Sequence, residues 1–446
     1  MKDLAGIIGI LVICIEIYRW VRGRWIRQVL GWKKKAKKPR KPAVMQPKSE
    51  LDCPHCVKEK GEKANLEQKK AIVAWNDRKG RGGRRKGIST EGYFCSNTGC
   101  EYYGVRDERI HALVGNGSHG KQEVIRDLKC QSCGKKFTVR KHTILYRLKT
   151  HSGIVEKILW LLAVGVDGSV LEEVFGVREI TIRAWLCRSG MQGRKLHDRV
   201  MVELELIHVQ LDELWGNVKQ SGQELWLWTA SDAKTKIMVV MQVGGRTQEK
   251  AYSVVHELKG RLKVGCVPVF STDGLKHYYY ALTAHFGKWA DQGGKTLVWV
   301  LMGELLYGQV IKHQRRRKTV EVERRMLVGE EGEYRRVLKE NGLSGRINTS
   351  FIERLNLTIR QSVSKLTRRT WGPAVYTSEL VEHLEWWRAY YHFVRYHESL
   401  RMKLGEPKER KGKRQPQRYK KQAPAMAAGL TDRRWKVKEL LLMPLP

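Results

Sequence analysis

Three features of the sequence make this an α/β protein. The stretch "IHVQLDELWG" at 207–216 has a strand's period and opens a run of strands broken by a helix; close cysteine pairs lie upstream of it; and the segment between changes to a helical apolar period. The chain has 446 residues, room for two or three domains, and its 41% hydrophobic content supports a buried core. Lys and Arg number 85 against 46 Asp and Glu, a formal net charge of +39 that calls for a polyanionic partner. Basic runs recur at 33–41, 78–86, 315–318 and 408–421, not beside one hydrophobic anchor, so they favour nucleic acid over an anionic membrane surface.

At the start, Leu4 to Ile15 is apolar, but too short to span a bilayer by itself. No small-residue cleavage site follows, which disfavours a secretory signal; a packing helix or upstream extension is expected, with an interfacial anchor as the alternative. Cys14, Cys187 and Cys266 stand alone in apolar surroundings and are expected to pack. The other cysteines come in pairs, which in a reducing compartment speak for metal. Cys95 and Cys100 in "CSNTGC" and Cys130 and Cys133 in "CQSCGKKF" bring four thiolates to one point, which suits tetrahedral Zn, with reduced buried cysteines as the alternative. Gly104 and Gly134 suit the tight turns of such a ribbon, and the residues between the pairs alternate like short strands. The earlier pair, Cys53 and Cys56 in "CPHC", either holds a second ion with His55 or another histidine, or is a reduced loop pair.

From Gly153 to Met191 the period is helical. Ile154, Ile158, Leu161 and Leu162 share a face, Val170 and Val174 continue it, "FGV" turns the chain, and "REITIRAWLCRSG" supplies a third helix with Arg183 outward. This is a helix-turn-helix layout, its third helix suited to the major groove, although an ordinary helical hairpin has the same pattern.

In the strand at 207–212, Asp212 ends the polar face. Strands in "ELWLWTASD" and "KIMVVMQVG", a helix in "TQEKAYSVVHELKGRLK" and a strand ending at Asp273 in "VPVFSTDG" follow. Ile352, Leu355, Ile359 and Val363 form a stripe on a later helix, with Glu353, Asn356 and Arg360 on its adjoining polar edge. Glu353 also has a plainer reading, as the acid of a capping box begun by Ser350. Taken as a set, Asp212, Asp273 and Glu353 repel one another unless they hold divalent cations; two Mg²⁺ about 3.5–4 Å apart are suited to phosphodiester chemistry. The helix "EWWRAYYHFVRY" at 385–396 is read as core packing, with stacking on unpaired bases as the alternative.

"QLDELWG", "STDGLKHY" and "NTSFIERLNLTIR" resemble the three acidic motifs of DDE transposases of bacterial insertion sequences, and the cysteine pairs followed by a helix-turn-helix resemble the insertion-sequence-one type. The resemblance runs from about Cys53 to the C-terminus. It implies a ribonuclease-H-like catalytic core, a mixed sheet with flanking helices, preceded by a zinc ribbon and a helix-turn-helix. The implied division is 1–50 apolar segment and basic linker, 51–150 zinc-ribbon region, 151–200 helix-turn-helix, 201–400 catalytic domain and 401–446 basic C-terminal tail.

The resemblance makes Asp212, Asp273 and Glu353 the catalytic Mg²⁺ ligands, with Mn²⁺ as a substitute, and Asn356 and Arg360 their support near the scissile phosphate. Arg178, Arg183, Arg188, Arg354 and Arg360 are the expected DNA contacts. Tyr396 before His397 departs from the family, where many relatives carry Pro, and leaves the placing of His397 open. The implied partner is double-stranded DNA, both element ends and target, handled by a homodimer or larger synaptic complex at the nucleoid in the cytoplasm. A zinc-containing DNA-binding regulator with a non-catalytic core, and a nuclease without strand transfer, are the alternatives.

Overall fold

A computed structural model of the chain describes residues 72–79, 88–216, 218, 224–291, 297–316, 318–367, 374, 376–408 and 416–445. The apolar stretch 4–15, the basic run 33–41, Cys14, Cys53, Cys56 and residues 80–86 of the second basic run lie outside the described residues. The structure is mixed α/β. After a short helix, α1 (Trp75–Lys79), strands β1 (Leu113–His119), β2 (Ile125–Cys130) and β3 (Lys136–Thr138) form an antiparallel sheet in that order. Gly104 and Gly134 turn the chain at φ 78° and 74°, a region glycine enters without a Cβ penalty.

Helices α2 (Ser152–Ala163), α3 (Gly168–Phe175) and α4 (Glu179–Val200) follow. The Asp167 side chain accepts from Ser169 N to start α3, and Gly176, at φ 65°, ends it, which is why "FGV" turns the chain.

The central sheet has six strands in the order β11-β10-β7-β4-β5-β6. Strands β4 (His208–Gly216), β5 (Leu225–Asp232) and β6 (Met238–Gly244) are antiparallel neighbours. Strand β7 (Val269–Thr272) runs parallel to β4, β10 (Tyr307–Arg315) parallel to β7, and β11 (Lys318–Val328) closes the edge antiparallel to β10. Helices α5 (Gln248–Arg261) and α6 (Lys276–His285) cover one face of the sheet over Val209, Leu211, Trp228 and Ala230. A hairpin of β8 (Gly287–Ala290) and β9 (Val298–Leu301) and a helix, α7 (Glu331–Glu340), flank β10 and β11 in the chain. Helices α8 (Ser350–Ser362) and α9 (Thr377–Phe393) cover the opposite face, where Ile352, Leu355, Ile359 and Val363 meet Leu214, Leu227 and Met241 as the helical stripe requires.

Trp386, Trp387, Tyr390, Tyr391 and Phe393 of α9 are buried, so the aromatic run is core, not a stacking platform. Trp386, Tyr390 and Phe393 share a cluster with Val155, Leu159, Ile182 and Trp185 of α2 and α4, while Trp387 and Tyr391 pack on the sheet side. Helix α4 reaches 22 residues, longer than the sequence pattern implied, because its later turns are held against α9. A Cβ at Gly190 would lie 2.2 Å from the Glu382 carbonyl oxygen, and one at Gly193 2.8 Å from that of Glu385. These helical glycines allow an approach that no side chain would.

The expected basic tail at 401–446 needs correction. Strands β12 (His397–Lys408) and β13 (Gln417–Gln422) pair, and after helix α10 (Pro424–Ala427) the chain returns through helix α11 (Val437–Leu442), whose Val437, Leu440 and Leu441 are buried with Leu445 in the same cluster as α2, α4 and α9. The apolar end "VKELLLMPLP", placed after a strongly basic run, drives this return to the core. No helix among the described residues is long and apolar enough to cross a membrane.

Replacing Gly190 with Ala is expected to cost about 1–3 kcal/mol through overpacking against the Glu382 backbone. Thermal melts should show the loss, and an unchanged melting temperature would refute this packing.

Candidate functional site

Asp212 does not end β4, as the sequence alternation implied; the strand runs on to Gly216. What ends there is its pairing with β7. The parallel register closes at Leu211↔Thr272, so Asp212 and Asp273 each follow the last paired residue of adjacent strands and emerge side by side. Leu275 N donates to Asp273 Oδ1 at 3.0 Å and fixes that carboxylate, while Glu213 N donates to Asp212 Oδ1 at 2.8 Å.

Helix α8 reaches this point through Asn356, whose Nδ2 donates to Asp212 Oδ2 at 2.8 Å. Asn356 Oδ1 is buried and has no hydrogen-bond partner among the described residues. Glu353, one turn earlier, lines the same cleft of about 820 Å³ with Asp212, Asn356 and Arg360. Its carboxylate accepts from the Thr349 hydroxyl at 2.6 Å and pairs with Lys312 of β10. The capping-box reading does not hold: Thr349 is the N-cap, and the Ser350 hydroxyl turns to Asn348 Oδ1 at 2.8 Å.

The carboxylate nearest the two aspartates is one that sequence reasoning missed. Oxygens of Asp212, Glu213 and Asp273 all lie within 4.8 Å of one another, and Glu353 is not in that group. Glu213 follows Val209 and Leu211 on the apolar face of β4, and a charge at an inward position was the available signal. Its side chain is 2% exposed and accepts from Arg246 Nε at 2.9 Å and from the Tyr278 hydroxyl at 3.1 Å. Arg246 in turn lies over the Trp226 ring, 4.8 Å from its centroid. Burial, then the charges of Asp273, Glu213 and Glu353, push the Asp212 carboxyl up to about 8. Burial raises Asp273 and Glu213 as well. Crowded acids of this kind form a group that a divalent cation would relieve.

In the ribbon region the sulfurs of Cys95, Cys100, Cys130 and Cys133 also lie within 4.8 Å of one another. The close contacts run between the two sequence pairs: Cys95 to Cys133 at 3.5 Å and Cys100 to Cys130 at 3.9 Å. Burial raises the Cys95 and Cys130 thiols, so four neighbouring thiolates there require a cation. Of the lone cysteines, Cys187 is exposed on α4 and does not pack, since it falls on the polar side of that helix; Cys266 is half-buried.

The expected DNA-facing arginines divide. Arg178 is exposed at the start of α4 and Arg354 is exposed on α8. Arg183 is tied to Glu179 at 2.8 Å and Glu379 at 3.8 Å, and Arg188 donates to the Tyr146 carbonyl at 2.8 Å. Arg360 donates to the carbonyls of Trp215 at 2.9 Å and Leu366 at 3.2 Å, bracing the cleft wall. His397 lies edge-on to Tyr391, ring centroids 6.4 Å apart, and its Nδ1 meets the Ser399 hydroxyl at 2.9 Å. No protein-family model and no curated protein matches this chain.

Two outcomes follow from these geometries. The raised Asp212 carboxyl binds its proton more tightly folded than unfolded, so without divalent ions its contribution to stability is present below the ordinary 3.8 and lost as pH climbs to about 8. Asp212→Asn in chelator should therefore raise the melting temperature little near pH 4 and most above pH 8, and divalent ions should shrink the difference; a gain independent of pH would contradict the crowding. Cys130→Ser should eliminate metal retained after purification and lower the melting temperature, as metal analysis and thermal melts would register.

Proposed function

We propose that this chain is a DNA transposase of the DDE type, in which a ribonuclease-H-like core cuts and joins DNA at the ends of an insertion sequence. The observation that carries this reading is the emergence of Asp212 and Asp273 from adjacent parallel strands, with the helix bearing Glu353 and Asn356 against them. A sheet of three antiparallel strands continued by two parallel ones, with helices on both faces, agrees with such a core.

The donor sets fit the expected ions. Zn–S bonds of about 2.3 Å place tetrahedral sulfurs about 3.8 Å apart, and the observed 3.5 and 3.9 Å bracket that edge. Asp212, Asp273 and Glu353 would hold Mg²⁺ or Mn²⁺, hard cations that take carboxylate oxygens, and the buried Oδ1 of Asn356, whose Nδ2 meets Asp212, is an acceptor still without a partner among the described residues. When bound, the ions supply Lewis acidity to a phosphodiester.

The chain's own groups do the placing. Asn356 orients Asp212, the Leu275 amide orients Asp273, and Arg246 with Tyr278 keeps Glu213 in place beneath both. Arg354, exposed on α8, would meet DNA phosphates, and Arg360 braces the cleft wall. Water attacks the phosphorus at the element end and frees a 3′-hydroxyl; that hydroxyl then attacks target DNA in line, displacing a second 3′-oxygen with no covalent enzyme intermediate. Helices α2 to α4 and the cysteine ribbon would recognise the terminal repeats, and joining two ends calls for a dimer or larger assembly, placed with the nucleoid in the cytoplasm.

Asp212→Asn, Asp273→Asn and Glu353→Gln should each reduce Mg²⁺-dependent cleavage of terminal-repeat DNA to background while retaining the gel shift. Cutting by any of the three discards the assignment. A parent chain that binds but never cuts is a regulator, and one that cuts but does not join precut ends is a nuclease.

A further inference from the structure

Beyond the sheet, β10 and β11 continue as a free ribbon. Strand β10 pairs with β7 only from Tyr307 to Gln309, yet its pairing with β11 goes on to Arg315↔Lys318. Burial follows the same break: Tyr307 to Val310 are buried, whereas Lys312 to Arg316 and Lys318 to Arg325 are exposed. The ribbon leaves the sheet next to the acidic cleft, as the pairing of Lys312 with Glu353 shows.

Its two acids lie on one face, which they share with Arg325. Residues opposite one another in an antiparallel pair share a face, and successive residues alternate. The register Lys312↔Val322 and Val310↔Arg324 puts Lys312 and Arg324 on the face turned to Glu353; His313↔Glu321 and Ile311↔Glu323 put both acids on the other, where His313 meets Glu323 at 3.5 Å. The tip carries Arg315, Arg316 and Lys318, none with an ion-pair partner among the described residues. Repulsion from the anionic cleft accounts for the acids turning away from it, but not for the unpaired cations gathered at the end of a solvated strand. A partner that is itself a dense line of negative charge accounts for those.

We propose that the ribbon from Lys312 to Arg325 is an arm that grips the phosphate backbone of duplex DNA beside the acidic cleft, its tip cations straddling the backbone and its acids turned away. A two-stranded ribbon also fits the B-DNA major groove, about 12 Å wide. This rests on the reading of the cleft as a phosphodiester site, but it makes a claim about binding, not chemistry. The arm holds the duplex in place; it donates no group to the reaction.

The test is equilibrium binding of the full chain to a random-sequence duplex in chelator, measured by fluorescence anisotropy over a range of salt. Each phosphate contact contributes about 0.9 to the slope of log affinity against log salt, so Arg315→Ala, Arg316→Ala and Lys318→Ala together should flatten it by about 2–3. Arg335→Ala, Arg336→Ala and Lys339→Ala on α7 remove the same charge and should leave the slope unchanged; Arg315→Lys with Arg316→Lys should keep the parent slope. An unchanged slope in the tip variant, or equal flattening by the α7 variant, overturns the arm and leaves the catalytic reading untouched. A parent chain that binds no duplex overturns both.

Discussion

The site depends on the place where two parallel strands stop pairing. Strand β4 crosses to β5 on one side and β7 on the other, and its register with β7 closes at Leu211 and Thr272. Backbone hydrogen bonds hold everything up to that point, and the next side chain on each strand is an aspartate. Slipping this register by one residue would turn Asp212 to the other face and replace it with Leu211 or Glu213, so strand alignment decides which side chains meet there.

Bringing acids together creates a second demand, for compensating charge. The structure meets it unequally. Glu213 lies deepest and has Arg246 and the Tyr278 hydroxyl; removing the arginine would leave a buried carboxylate unpaired, a loss of up to about 3–5 kcal/mol. Glu353, half exposed, has Lys312, a flexible ammonium that solvent screens and that a bound cation or phosphate can displace more easily. Asp212 and Asp273 have hydrogen bonds but no ion pair among the described residues, and their raised carboxyls reflect it. The least compensated acids sit where the pairing of β4 with β7 ends.

Much of this was legible in the residues. Period-two alternation located β4, β5 and β6, the helical stripe located α8 and its buried face, and the glycines after each cysteine pair marked left-handed turns. The four cysteines converge as their spacing implied, and the two aspartates as their places at the ends of strand patterns, taken as a set, implied. The failures have physical causes. Glu213 was passed over because alternation assigns it to the core side, where a charge survives only with partners far away in sequence, Arg246 and Tyr278. Arg188 read as a free cation because the Tyr146 carbonyl that engages it is invisible to local pattern; Arg183 meets the distant Glu379 but is held more closely by Glu179, a partner that the i,i+4 spacing already offered. The apolar chain end was read as tail since the basic run before it dominates the composition, although hydrophobic burial is decided residue by residue.

The glycine-lined crossing of α4 and α9 has a mechanical meaning. Helix α9 touches α2 and α4 on one side and the central sheet on the other, so the helices before residue 200 and the sheet after it are packed on one shared helix. Two helices packed backbone to backbone have little room to slide, and in the proposed function an α4 that reads DNA would act as a ruler. The number of base pairs between the sequence read and the bond broken would then be written into the crossing itself.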